Sequence, residues 1–174
     1  MGAAYLLPTS PQLFPKSLLQ TARTLEALYR MLNRAAEWLQ SPFLLLVRLY
    51  WGWQFLQTGW GKMNNLAKVI AFFSELGIPL PGLSAHFIAS VEFTGGVLLL
   101  LGLASRLIAI SLAMNVLAAY VTADREALLA LISDPGKFYA AAPYTFLTAS
   151  LIVLIFGPGH FAVDAWIARK RRYC

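Results

Sequence analysis

Residues 83–122 read LSAHFIASVEFTGGVLLLLGLASRLIAISLAMNVLAAYVT, and within these forty positions only Glu92 and Arg106 carry a full charge. The break at Ala104-Ser105 divides the stretch into two apolar runs, Leu83–Leu103 and Arg106–Thr122. Each has about the 17–25 residues that a helix needs to cross the hydrocarbon core of a bilayer. The same pattern recurs on both sides. Phe43–Trp60 follows Ser41-Pro42, which suits a helix cap and a first-turn proline, and Phe138–Phe156 ends at Gly157-Pro158-Gly159.

Composition agrees. Of 174 residues, 59% are hydrophobic and 13% are charged, against about 25% charged in a typical soluble domain. The charges fall between the apolar runs, not on periodic solvent faces. The expected fold is therefore all-α: a four-transmembrane-helix bundle spanning 41–174, preceded by an amphipathic segment over 1–40. In residues 17–39, Leu18, Leu25, Leu28, Leu32 and Leu39 recur at helical spacing, with Arg23, Arg30 and Arg34 largely off that stripe. This predicts a helix lying in the membrane interface, and a helix docked on a partner shows the same pattern. Residues 64–76 read as a short interfacial helix stopped at Gly77, residues 123–137 as a polar loop, and residues 161–172 as a closing interfacial helix.

The net charge of +6 is placed for membranes, not nucleic acid. Lys16, Arg23, Arg30 and Arg34 precede the first run, and Arg169, Lys170, Arg171 and Arg172 follow the last. With Arg106 these make nine basic residues on one side, against Lys62, Lys68, Arg125 and Lys137 on the other. The nine should face the cytoplasm, with both termini. The first fifteen residues hold no Lys or Arg, unlike the basic start of a secretory signal, and Leu6 spoils a myristoylation pattern begun at Met1-Gly2. The one cysteine, Cys174, excludes an intramolecular disulfide and a cysteine-held cluster. His86 and His160 fall at opposite ends of the expected bundle, so no metal site is expected.

Ionisable residues within spans are costly, and they serve either as interhelical bonds or as functional sites. Arg48, Gln54, Glu92 and Asn115 form the expected intramembrane polar cluster, with Arg48 reaching Glu92. Both roles stay open for it. Gly52, Gly59, Gly95, Gly96 and Gly102 mark faces suited to close helix packing. Trp51 and Trp53 are deep enough to line a flat cleft such as a quinone head would occupy, although packing or lipid contact is the favoured reading of each. Arg106 and Asp164 should meet as an ion pair at the cytoplasmic surface. No nucleophile elbow, dinucleotide fingerprint or P-loop is present, so no self-contained catalytic motif is expected.

Three segments in order, RLYWGWQFLQTGWGKM at 48–63, EFTGGVLLLLGLASR at 92–106 and GPGHFAVDAW at 157–166, resemble the DoxX family of bacterial membrane proteins. The matching positions are Arg48, Gly52, Gly59, Lys62, Glu92, Gly102, Arg106, Gly157, Pro158, Gly159 and Asp164. The resemblance implies a four-helix fold in the bacterial inner membrane and a role in quinone- or partner-linked redox chemistry. Other membrane subunits are then expected partners, and quinone a possible cofactor. The alternative is a non-catalytic anchor of a larger complex. The family supplies no catalytic residue to transfer. The topology has its own test: a membrane-impermeant thiol reagent should reach Cys174 only after cells are permeabilised, and labelling in intact cells would reverse the orientation.

Overall fold

The computed structural model describes residues 16–171, with side chains from Arg23 onward. The first fifteen residues, read above for targeting signals, and positions 172–174, with Arg172 and Cys174, lie outside the described residues. All regular structure among the described residues is helical. The elements are α1 (Lys16–Asn64), α2 (Leu66–Glu75), α3 (Pro81–Leu101), α4 (Ser105–Thr122), α5 (Arg125–Leu129), α6 (Pro135–Ala140), α7 (Pro143–Phe156) and α8 (Val163–Arg171).

Two expected boundaries move. Ser41-Pro42 does not start a helix, because Pro42 lies inside α1. The Ser41 hydroxyl is engaged elsewhere, 2.6 Å from His160 Nδ1 and accepting from the His160 N–H at 3.3 Å, so it caps nothing. At the other end, the fourth apolar run does not begin at Phe138. Phe138 belongs to α6, Ala141 is extended with ψ 137°, and α7 begins at Pro143, whose missing N–H suits a first turn. The stretch read as a polar loop therefore holds the short helix α5 and the first turn of α6. Phe138 stacks on Tyr120 with centroids 4.7 Å apart, and the Tyr120 hydroxyl donates to the Phe138 carbonyl at 2.9 Å.

Glycines at positive φ set two of the stops. Gly77 (φ 69°) closes α2, with the Ile78 N–H donating to the Phe73 carbonyl at 3.0 Å. Gly102 (φ 69°) closes α3, with the Leu103 N–H donating to Leu98. Both are six-to-one Schellman closures, which need the left-handed residue that glycine supplies at least cost.

Among the described residues, α3 and α4 are long and apolar enough to cross a membrane. The shorter α7 is equally apolar, and its 14 residues reach about 21 Å. The outward faces are as apolar as the interior: Leu107, Met114, Phe87 and Ile155 are each at least 63% exposed. Such a surface fits lipid rather than water.

Two compact units divide the chain after Leu39. In the first, every side chain from Arg23 to Leu39 is exposed. In the second, α4 packs on α3 and α7, α2 packs on α3, and Val47, Phe55, Leu99, Leu112, Val116 and Val153 belong to the shared core.

The later part of α1 meets α3 across a seam of small residues. A Cβ on Gly59 would overlap the Phe93 backbone, and one on Gly96 would overlap the Gly52 carbonyl and the Leu56 backbone. Gly52 in turn lies 3.1–3.2 Å, measured from where its Cβ would stand, from the Leu100 nitrogen and the Gly96 carbonyl. Gly95 faces a different helix, against Leu112 of α4. Close approach of this kind gives helix pairs in lipid their packing energy. Gly59→Ala should lower stability in detergent by about 1–3 kcal/mol through overpacking. Gly61→Ala is the control, since a Cβ there meets nothing within 4 Å. Thermal unfolding that shows equal effects at the two positions would contradict the seam.

Candidate functional site

The seam fixes how charged side chains meet. Gly52 opposes Gly96 and Leu100, Gly59 opposes Ala89 and Phe93, and so the two helices run antiparallel in a defined register. Arg48 therefore stands level with Gly102, ten residues beyond Glu92, or about 15 Å along α3. The expected Arg48–Glu92 pair does not form. The base at Glu92 is Lys62, whose Nζ lies 2.5 Å from both carboxylate oxygens. Asn115 of α4 adds a hydrogen bond from Nδ2 to Glu92 Oε1 at 2.9 Å. Gln54 is half-buried, and its amide does not bond to Glu92. The polar cluster thus joins three helices through Lys62, Glu92 and Asn115.

Lys62 was readable as a span end but not as a cluster member. The spacing that puts Arg48, Gly52, Gly59 and Lys62 on one stripe of α1 is legible in the sequence, but the register is not, and it brings Lys62 rather than Arg48 to the Ala89–Glu92–Gly96 face of α3. The Glu92 side chain is 9% exposed and that of Lys62 is 32% exposed. Partial burial weakens solvent screening of this pair, while Asn115 meets part of the carboxylate's remaining demand.

The pair lies on the wall of a cavity of about 1000 Å³. α2 supplies Val69, Phe72 and Phe73 to it, α3 supplies Phe87 and Val91, and Phe55 and Phe146 add to the lining. Trp51 and Trp53 do not line it, which corrects their expected role. Trp51 packs on Tyr50 and Phe146, and Trp53 is 53% exposed on the outer surface. They lie eleven and nine residues before Lys62, about 14–16 Å back along α1. Phenylalanines provide the aromatic wall instead.

Arg48 belongs to a second polar node. It is fully buried and donates from Nη2 to the Phe161 carbonyl at 2.5 Å. A side chain at Gly102 would occupy the place of its guanidinium. Its Nε and Nη1 have no hydrogen-bond partner among the described residues, and Asp164 is the acid whose charge acts on it. Asp164 itself accepts from the N–H groups of Ala104 and Ser105, both at 2.8 Å, and its own N–H donates to the Gly102 carbonyl at 3.0 Å.

Asp164 is consequently not the ion-pair partner of Arg106. Arg106 is exposed and lies beside Gly157, with Nη2 3.4 Å from where a Cβ would stand. The first N–H groups of α4 have no partner within their own helix, and a carboxylate at a helix N-terminus satisfies them with charge-assisted bonds. An exposed arginine offers less. This node ties α1, the α3–α4 turn and α8 together, and Arg48 and Asp164 are not among the residues lining the cavity. Asp164→Ala should cost about 2–4 kcal/mol of stability, from the lost cap and lost hydrogen bonds to charge. Arg106→Ala should cost under about 1 kcal/mol. Equal losses in thermal unfolding would contradict this division of labour.

The comparisons with known proteins agree with the membrane architecture. Residues 43–125 match the family model described as DoxX. A Bacillus subtilis (strain 168) protein named "Putative oxidoreductase CatD" is 29% identical over 128 residues, covering 74% of this chain and 89% of its own length. A Mycobacterium tuberculosis (strain ATCC 25618 / H37Rv) protein named "Uncharacterized membrane protein Rv3486" is 29% identical over 140 residues, covering 76% of this chain and 86% of its own. No solved structure matches the chain. The matched stretch contains the α1–α3 seam, the cavity pair Lys62–Glu92 and Asn115, so it is over these elements that the chain is similar to the DoxX family of membrane proteins.

Proposed function

We propose that this chain is a DoxX-type membrane subunit that supports quinone- or quinol-linked redox chemistry, alone or with a partner oxidoreductase. The observation that carries the reading is the cavity, about 1000 Å³ in volume, apolar over most of its wall and polar where Lys62, Glu92 and Asn115 converge. Small-molecule sites have this character: a mostly apolar wall for bulk, and a few placed polar groups for orientation. A flat ring with polar oxygens at one edge matches both parts. The oxidoreductase name of the Bacillus relative supports the redox half of the reading.

In this reading four helices cross the inner membrane: the part of α1 after Gln40, α3, α4 and α7. Both termini are cytoplasmic by the charge rule, which puts Arg48 near the inner face and Lys62 toward the outer one. α2 then covers the cavity from the outer side. Glu92 and Lys62 are the residues proposed to hold the ligand's polar edge, with Asn115 orienting Glu92.

A second reading, a non-catalytic anchor, is favoured by the exposed face of the first unit, where Trp38 is 85% and Leu39 is 67% exposed. Purification in mild detergent separates the two, since bound quinone supports the first and a stoichiometric protein without quinone supports the second. Glu92→Gln gives the sharper test. The amide keeps size and hydrogen bonding, so the fold should persist, while quinone-linked turnover in membranes should fall about 10- to 100-fold, the range expected for losing a hydrogen bond to a charged group. Unchanged turnover in a folded variant would remove the redox reading.

A further inference from the structure

The hydrogen-bonding capacity left over at Lys62 and Glu92 points to the kind of oxygen the cavity accepts. A lysine ammonium has three N–H donors, and two are accounted for by the contacts to Glu92 Oε1 and Oε2. A carboxylate has about four acceptor directions. Oε1 receives Lys62 and Asn115, whereas Oε2 receives Lys62 alone. One donor and one acceptor therefore remain side by side, on residues that both line the cavity.

Asn115 bonds the same Glu92 carboxylate and belongs to this cluster, and the remaining polar side chains of the wall do not offer the pair. The hydroxyls of Thr58, Ser84, Ser111 and Thr122 spend their protons on backbone carbonyls. Lys68, also on the wall, can donate but not accept. An adjacent donor and acceptor complement a hydroxyl, which accepts and donates through one atom. A carbonyl or ether oxygen only accepts, and would leave the spare direction of Oε2 facing apolar ligand. Sites built to bond a hydroxyl reject analogues lacking it for this reason.

Resting on the cavity reading above, we propose that the site binds an aromatic ring bearing a free hydroxyl, of the phenol or hydroquinone class. The ring oxygen accepts from Lys62 Nζ and its O–H donates to Glu92 Oε2. The phenylalanine-rich remainder of the wall takes the ring and any alkyl chain. The reduced ligand is thus held more tightly than its quinone or its methyl ether.

The test is equilibrium dialysis of the full chain in nanodiscs against three probes: decylhydroquinone kept reduced under argon, decylquinone, and the dimethyl ether of the hydroquinone. The hydroquinone should bind at least tenfold more tightly than the ether. In the double variant Lys62→Met/Glu92→Met, which removes both charges together and leaves neither alone, that preference should vanish. Hydroquinone and ether binding within twofold of each other in the wild type would overturn hydroxyl recognition while leaving the cavity reading in place. Failure of all three probes to bind would sink the cavity reading and the proposal with it. A preference that survives in the double variant would also overturn it, by placing the recognising groups elsewhere. The three-probe comparison on the wild-type chain decides the matter even where the double variant does not fold.

Discussion

The approach of α1 to α3 through Gly52, Gly59, Ala89 and Gly96 sets the register from which both polar nodes follow. Where side chains are absent or no larger than a methyl group, the backbones come close enough for each helix to occupy the other's surface. That contact leaves little freedom to slide. A shift by one turn would drive Phe93 or Leu56 into a side chain, and would carry Arg48 away from the glycine that makes room for it. Lys62 and Arg48 are fourteen residues apart on α1, about 21 Å. The register places one at Glu92 and the other at Gly102, so each buried charge arrives at a site with complementary groups.

The two nodes use charge in different ways. At Arg48 the groups around the guanidinium are a carbonyl, a helix-capping carboxylate and a tight glycine turn, all of them backbone-linked. Such an arrangement fixes helix ends. At Lys62 and Glu92 the partners are side chains on three helices, and the pair borders empty apolar volume. Buried ion pairs contribute little net stability, because desolvation offsets most of the attraction. One that faces a cavity is therefore better placed for ligand recognition than for holding the bundle together.

Helix identity was legible because long apolar runs have few alternatives, and the stop at Gly77 follows from backbone chemistry that sequence displays directly, whereas Gly102, expected as a packing glycine inside the second run, instead ends α3 at positive φ. Side-chain partnerships were less legible. Depth counted from Phe43 placed Arg48 within reach of Glu92, but α1 passes through Pro42, and the bundle's register is set by glycines rather than by where apolarity begins. The Arg106–Asp164 pairing failed for a related reason. Opposite charge suggested a pair, whereas the orphan N–H groups at the start of α4 are donors that no residue letter shows. Trp51 and Trp53 were read by depth alone, and the cavity lies on another face, defined by where α2 folds back on α3.

The central claim is that the space beside Lys62 and Glu92 holds a ring ligand by its polar edge. Photo-crosslinking the full chain in nanodiscs with an azido-quinone of short alkyl chain, followed by peptide mass spectrometry, reads that location directly. Labels on Phe72, Phe87, Asn115 and their neighbours, competed away by excess decylquinone, are the predicted result. Competable labels confined to Trp53 and the outer face of α1, with none around the cavity, would contradict the account.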